Sequence, residues 1–390
     1  MLYKPREDSY LLAKHVKKHA FGNVLDMGTG SGIQAITAAK LKKVKLVLAV
    51  DVQKSVVEYC KKTTKSKKIS FKQSNLFENI SDKPGFDTII FNPPYLPEDV
   101  RLKDITVDGG KKGYELLERF LNDISAFLKP DGMLLLLFSS LTKKDKVHEF
   151  IANNLLEFKE LEKQKLFFEY LYVYKIKKSS LLKMLEKKKI AGIKKFMKGH
   201  RGLIFTGKIG KKGRTKKIAI KMQRKDIGVT GTVDREAKVL KILNKNKIGP
   251  KILFAGTDFF VYEFIEGVFI PEFLERSSKK QIIAVIKDVF QQCYKLDRLG
   301  INKEEMHHPY KHVVVSKKGK SVLLDFERAK NTINPHNVTQ FCQYVSSVKV
   351  RNLTKGKLKI DGNKLRKLAA IYKKDQTKKN YDNILKTIIA

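Results

Sequence analysis

Residues 24–43 read VLDMGTGSGIQAITAAKLKK, and their order decides the fold. A short apolar run closes on Asp26, and Gly28, Gly30 and Gly32 follow at two-residue steps. An Ala- and Leu-rich stretch with helical spacing comes next. Strand, glycine turn, helix is the opening of an open α/β sheet, where small residues at the first turn let a cofactor approach the backbone. The next strand, KLVLAVD (45–51), ends on Asp51, 25 residues beyond Asp26. A carboxylate closing that strand can accept both hydroxyls of a ribose. The glycines are not spaced as the G-x-G-x-x-G that cradles a dinucleotide's pyrophosphate.

The pattern continues outward. ISFKQSNLFE (69–78) reads as a third strand and FDTIIFNPPY (86–95) as a fourth with its loop. Proline cannot donate to a sheet ladder and fixes φ, so the fourth strand ends at Asn92-Pro93-Pro94-Tyr95. The position before a proline is held extended or in a turn, so the Asn92 amide is presented rigidly at a strand's carboxyl end. Such ends are where open α/β sheets bind ligands. A planar amino group is a poor nucleophile, because its lone pair is delocalised into the neighbouring carbonyl or ring. Two fixed acceptors, the Asn92 side-chain oxygen and the Pro93 carbonyl, could grip both its N–H bonds, with Tyr95 covering its face. Catalysis then rests on positioning and electrostatics, with no covalent nucleophile. Adenine N6, cytosine N4 and a glutamine amide all fit that grip. Read as structure alone, NPPY is a Pro-Pro turn with a capping Asn.

At 390 residues the chain is expected to form two domains, and its 42% hydrophobic content suffices for buried cores. No apolar run approaches the ~18 residues of a membrane span. The purest, MLLLLF (133–138), suits a buried strand, and the N-terminal MLYKPRED lacks a signal peptide's apolar segment. Cys60, Cys293 and Cys342 lie far apart without metal spacing, which points to a reducing cytoplasm. The net charge of +41 admits a nucleic-acid or ribosome partner. Yet only 12 of the 81 basic residues are arginine, and lysine is spread along the whole chain. A general lysine bias therefore explains the charge equally well, and both readings stay open.

Together, 24–32, 51, 75–76 and 92–95 resemble the class I S-adenosylmethionine methyltransferases, and within them the HemK-type N5-glutamine methyltransferases. PREDSYLL (5–12) and DGGKKGYELLERFL (108–121) are similar to the archaeal and eukaryotic branch that modifies class-1 release factors. The resemblance covers roughly residues 1–176. It implies a Rossmann-like methyltransferase domain over 1–178, methylating the glutamine of a release factor's GGQ loop. It also implies S-adenosylmethionine held by Asp26, Gly28, Gly30, Gly32, Asp51, Asn75, Leu76 and Asn92, with Asn92, Pro93 and Tyr95 catalytic. A small zinc-ribbon activator is implied beside the third strand. The alternative is an RNA or DNA amino-group methyltransferase, which would need elements to flip and read a base. Residues 1–176 leave little room for them.

After LYVYKIKK, the last strand of the first sheet, a Lys- and Ser-rich join is expected to run to about residue 190. KGHRGLIFTGKI (198–209) suggests strand–turn–strand, KKIAIKMQR places Lys221 on a strand, and DREAKVLKILNKNKIGP is an amphipathic helix carrying Glu236. FFVYEFIEG is a strand, and SVLLDFERA puts Asp325 at a strand end. In order, these resemble the small eukaryotic-type kinase fold of the RIO and Bud32 kind, which implies an α+β kinase-like domain over 190–390. Lys221 would sit on ATP phosphates, Glu236 would pair with it, and Asp325 would bind magnesium. The pattern breaks at EEMHHPYKHVVV. Aligning KHVVV with the strand after a kinase catalytic loop puts His312 where asparagine is expected and His307 at the catalytic aspartate. Histidine is a poor magnesium ligand, and Glu304 or Glu305 stand as substitutes. Binding without brisk phosphoryl transfer is the expectation.

Overall fold

A computed structural model describes residues 3–81, 85–95, 110–199, 202–211, 213–224, 228 and 230–389. Residues 108–109 of the DGGKKGY stretch and 200–201 of the KGHRG stretch lie outside them. The chain divides into two compact units, Met1–Lys194 and Lys195–Ala390. No described helix is long and apolar enough to cross a membrane.

The first unit begins with α1 (Glu7–His19), β1 (Gly22–Met27), α2 (Ile33–Ala39), β2 (Val44–Asp51), α3 (Lys54–Thr63), β3 (Ile69–Gln73) and β4 (Phe86–Phe91). It continues with α4 (Glu115–Asp123), β5 (Leu128–Ser139), α5 (Lys144–Asn153), β6 (Leu156–Lys165), β7 (Tyr170–Lys178) and α6 (Ser180–Lys187). Seven strands form one sheet in the order β3-β2-β1-β4-β5-β7-β6. The first five are parallel, and β7 runs antiparallel to both β5 and β6. Central strands covered on both faces read as unbroken apolar runs, and Leu134 to Phe138 of β5 are indeed fully buried. On one face Leu12 and Val16 of α1 pack with Ala35 and Ala38 of α2, whose small side chains let the helix lie close to the sheet.

The strand order reverses between β1 and β4, and this switch point opens a crevice at the strands' carboxyl ends. Register makes it sharp. Met27 pairs with Val50 on one side and Phe91 on the other, so Gly28, Asp51 and Asn92 leave the sheet at one level.

The Lys- and Ser-rich join expected after LYVYKIKK contains a helix. Ser179 caps α6 by accepting the Leu182 N–H at 3.2 Å, and Leu182 and Leu185 bury one face. Buried Lys178 pairs with Glu186 at 2.7 Å. Serine there is a cap rather than a linker residue, a distinction composition does not make.

The second unit carries β8 (Ile190–Lys198, which runs across the division), β9 (Gly202–Lys211), β10 (Arg214–Gln223), α7 (Thr232–Lys245), β11 (Ile252–Gly256) and β12 (Phe259–Glu263). These strands make a five-stranded sheet, β11-β12-β10-β9-β8, against which α7 packs through Leu240 and Leu243. There follow β13 (Gly267–Phe269), α8 (Ile270–Arg276), α9 (Lys279–Arg298), β14 (Ile301–Asn302), β15 (Val313–Ser316), β16 (Ser321–Leu323) and β17 (Lys330–Asn331). The chain closes with α10 (Asn337–Val345), α11 (Val348–Leu353), α12 (Gly362–Lys374) and α13 (Lys378–Ile389). The long α9 starts at a capping box on Ser278 and Gln281 and supplies Val285, Val289 and Cys293 to the helical core.

Candidate active site

A cavity of about 340 Å³ lies at the switch point, lined by the loops after β1, β2, β3 and β4 and by the first turn of α1. Gly28, Gly30 and Gly32 all have positive φ (+65°, +52° and +80°), a conformation that any side chain would strain. Asp26 holds this turn in place. Its Oδ2 accepts from Thr29 Oγ1 at 2.6 Å and from the Ala35 N–H at 3.1 Å. Full burial pushes the Asp26 carboxyl up to about 7, against the two hydrogen bonds that favour its charged form. Asp26 lines the cavity, but its described bonds make it a staple of the glycine loop.

Asp51 is placed by backbone donors on both oxygens: the Gly30 N–H reaches Oδ2 and the Gln53 N–H reaches Oδ1, each at 3.0 Å. A carboxylate oxygen accepts more than one bond, so each retains capacity for a ribose hydroxyl. Asn75 and Leu76 line the same wall. Leu76 is left-handed (φ +48°), a turn held by Ser74 Oγ, which donates to the Leu76 carbonyl at 2.7 Å and accepts the Asn79 N–H at 3.1 Å. Asn75 donates its amide to Glu78 at 2.7 Å. A strand-end carboxylate, a glycine turn and the Asn75–Leu76 wall converge on one cavity, an arrangement that could hold a nucleoside-bearing cofactor.

Asn92 sits at the other end of this lining. Its Nδ2 donates to Asp8 Oδ2 at 2.8 Å, while its Oδ1 is buried without a partner among the described residues. Asp8 is an acceptor that fixes which way the amide faces: nitrogen toward Asp8, oxygen away from it. Asp8 itself is buried and also accepts from the Tyr3 hydroxyl at 3.0 Å and the Ser9 N–H at 2.6 Å. Burial and the neighbouring Asp8 raise the Tyr3 phenol well above its ordinary range, so it remains a donor. Pro93 and Tyr95 line the cavity beside Asn92, and burial followed by Asp8 raises the Tyr95 phenol likewise.

The profile of the Methyltransferase small domain family matches residues 6–170. A Methanocaldococcus jannaschii protein named for N5-glutamine methyltransferase activity is 41% identical over 148 residues, 36% of this chain and 74% of that protein. The chain belongs to the protein N5-glutamine methyltransferase family. A Koribacter versatilis release factor glutamine methyltransferase is 31% identical over 142 residues, and the chain spans about half (50%) of that bacterial relative. Among solved structures, the E. cuniculi Mtq2–Trm112 complex, responsible for methylating the eRF1 termination factor, matches with 26% identity and a TM-score of 0.38. That match covers 46% of this chain and 99% of the solved one.

The glutamine-methyltransferase unit thus brings together Asp26, Gly28, Gly30, Asp51, Asn75, Leu76, Asn92, Pro93 and Tyr95 around one cavity. Gly32 caps α2 just behind it. The lining fits S-adenosylmethionine, the family's cofactor: Asp51 could accept ribose hydroxyls, Asn75 and Leu76 could flank an adenine, and the glycine turn leaves room for close backbone approach. Residue-by-residue reading missed Tyr3 and Asp8. The signal was present in PREDSYLL, but nothing local says that a carboxylate in a helix's first turn faces an amide 84 residues away.

In the second unit Lys221, Glu236 and Asp325 also come together. Lys221 Nζ lies 2.6 Å from Glu236, 3.1 Å from Asp325 and 3.7 Å from Glu327. Burial works against the Lys221 charge, but Glu236 and Asp325 reverse this and hold the ammonium well above its ordinary range. Asp325 is left-handed (φ +60°), two residues beyond β16 rather than on it. Oxygens of Glu236, Asp325 and Glu327 lie within 4.8 Å of one another, a spacing that could hold a cation. Fully buried Lys303 donates to the Asp325 carbonyl at 2.6 Å, and burial lowers its ammonium to about 8.

His307 is exposed, its ring tilted against that of His308 with centroids 4.5 Å apart. Glu305 instead reaches His312, with 3.2 Å between Oε2 and Nε2, and its other oxygen accepts from Arg328 at 3.0 Å. Glu304, next to Glu305, is left-handed (φ +75°) and pairs with Lys330 at 2.6 Å.

Proposed function

We propose that the N-terminal unit transfers the methyl group of S-adenosylmethionine to the side-chain amide nitrogen of a glutamine on a protein loop, the GGQ loop of a class-1 peptide chain release factor. Asn92 Oδ1 carries this reading: an acceptor buried in the lining without a donor, while its own amide is committed to Asp8. A buried acceptor left unpaired costs about 1–3 kcal/mol, and an incoming N–H relieves that cost. A primary amide offers two, one for Asn92 Oδ1 and one for the Pro93 carbonyl, which turns the nitrogen toward the donor methyl group. The cofactor supplies an electrophilic methyl on a sulfonium. Asp51 orients the cofactor, Asn92 and Pro93 orient the acceptor, Tyr95 covers the amide plane, and Asp8 locks Asn92. The names of bacterial relatives, release factor and ribosomal protein uL3 glutamine methyltransferases, support a glutamine acceptor.

Strand β3 lies at the edge of the sheet with Ser70, Lys72 and Gln73 exposed. That unpaired edge supports a small activator subunit adding a strand there.

The test is mass spectrometry of a release factor, uL3 and tRNA after incubation with the full chain and S-adenosylmethionine. One added methyl on the GGQ glutamine is expected. Methyl on tRNA and none on protein would overturn the reading in favour of a nucleic-acid aminomethylase.

A second reading concerns residues 195–390. Lys221, its pairing with Glu236 and the adjacent Asp325 support a kinase-like unit that binds ATP with magnesium and turns over slowly. Calorimetry of the full chain with ATP and magnesium tests it, and no detectable heat of binding would reduce the unit to a scaffold.

A further inference from the structure

The hairpin between β6 and β7 turns through Leu166-Phe167-Phe168-Glu169, closed by the Leu166 N–H donating to the Glu169 carbonyl at 2.8 Å. Phe167 and Phe168 are 91% and 89% exposed, their rings edge to face at 4.6 Å. Two adjacent phenylalanines held in water gain nothing from the fold, and neighbouring exposed aromatics mark contact sites. The residues on either side point inward: Leu166 and Glu169 both line the cavity that holds Asn92. Glu169 Oε2 is buried without a partner among the described residues, the same condition as Asn92 Oδ1. Glu169 and Asp8 both act on the Tyr95 phenol, which puts this carboxylate at the acceptor end of the cavity.

We propose that this tip is a clamp for the loop that delivers the acceptor glutamine: Phe167 and Phe168 close over its backbone, and Glu169 accepts a backbone N–H beside the glutamine. The inference rests on the function proposed above and adds the residues that recognise a protein loop. A carboxylate acceptor suits a glycine-rich loop, whose N–H groups are uncovered, and repels a phosphate backbone. The apolar contact is continuous with the cavity, so a side chain entering toward Asn92 brings its own loop against the rings.

Steady-state methylation of a folded class-1 release factor by the full chain, with cofactor affinity measured in parallel, tests the clamp. The Phe167→Ala/Phe168→Ala double variant should raise KM for the factor roughly tenfold or more, with kcat within about twofold and S-adenosylmethionine affinity unchanged. Glu169→Ala should raise KM too, and Glu169→Gln, which keeps an acceptor oxygen, should restore part of the loss. If the wild type methylates the factor and the double variant shows the same KM, the clamp is overturned while the function stands. If the wild type methylates no protein, the proposed function fails and the clamp loses its occupant. Loss of tRNA methylation in the double variant would make the rings a base-stacking platform instead.

Discussion

In the N-terminal cavity an acceptor is held ready: among the described residues Asn92 Oδ1 is buried and unpaired, and Asp8 prevents the amide from turning to satisfy it. In the C-terminal centre the opposite holds. Lys221 is ringed by Glu236, Asp325 and Glu327, and Lys303 is tied to the Asp325 carbonyl. The first arrangement leaves an incomplete hydrogen-bond set that a ligand must finish. The second is electrostatically closed among its own residues, so a nucleotide must compete with ion pairs already made. A buried ion pair is weak evidence of a ligand site, because purely structural ion-pair networks perturb charged groups in the same way. An orphaned acceptor in a cavity is stronger evidence, since nothing in the described fold is gained by it.

The largest effect that would sharpen this contrast is on stability. Lys221→Met leaves Glu236 buried without its cation, and should destabilise the second unit by about 3–5 kcal/mol, seen as a separate early transition in calorimetry. An unchanged profile would mean that the closed centre contributes nothing, and that the ion pairs are poised for a ligand after all. Asn92→Ala comes next. It should lower kcat on the order of 10²-fold or more while S-adenosylmethionine affinity stays nearly intact. Equal loss of cofactor affinity would move Asn92 from acceptor grip to cofactor site and dissolve the comparison.

Asp51→Ala should weaken cofactor binding by ~1.5–3 kcal/mol, roughly ten- to a hundredfold, because two hydroxyls lose their acceptor. Titration calorimetry showing the wild-type Kd would leave Asp51 as a clip on Gly30 alone. The last test is a pH dependence, spread over several pH units rather than concentrated in one measurement. The Asp26 carboxyl is raised by burial to about 7, above its unfolded value of 3.8. Its contribution to stability is therefore full below about pH 4 and is lost as pH rises through about 7, with a slope of at most about 1.4 kcal/mol per pH unit. Asp26→Asn should remove that slope from denaturant melts of the cofactor-free protein, and parallel pH profiles for both proteins would show that Asp26 titrates normally.

The local pattern was legible in residues 24–51 because strand, glycine turn and helix each leave a mark of their own period. The proline pair after β4 marked its strand end just as plainly. What failed were statements about length and partnership. The serine-rich join became α6 because Leu182 and Leu185 found a surface to cover. The pairing of Glu305 with His312 and Arg328 was not legible, because a loop count says nothing of which side chains meet.

The sequence by itself determined the order of the elements, the glycine turn, the strand-end Asp51 and the rigid presentation of Asn92, since these follow from backbone sterics within a few residues. Only the tertiary structure decided which groups meet. Asp8 reaches Asn92 across 84 residues, Lys221 reaches Asp325 across 104, and the Phe167–Phe168 tip stays in water while its neighbours enter the cavity. Hydrogen bonds and ion pairs act over about 3 Å, and only strand order and register bring distant residues that close.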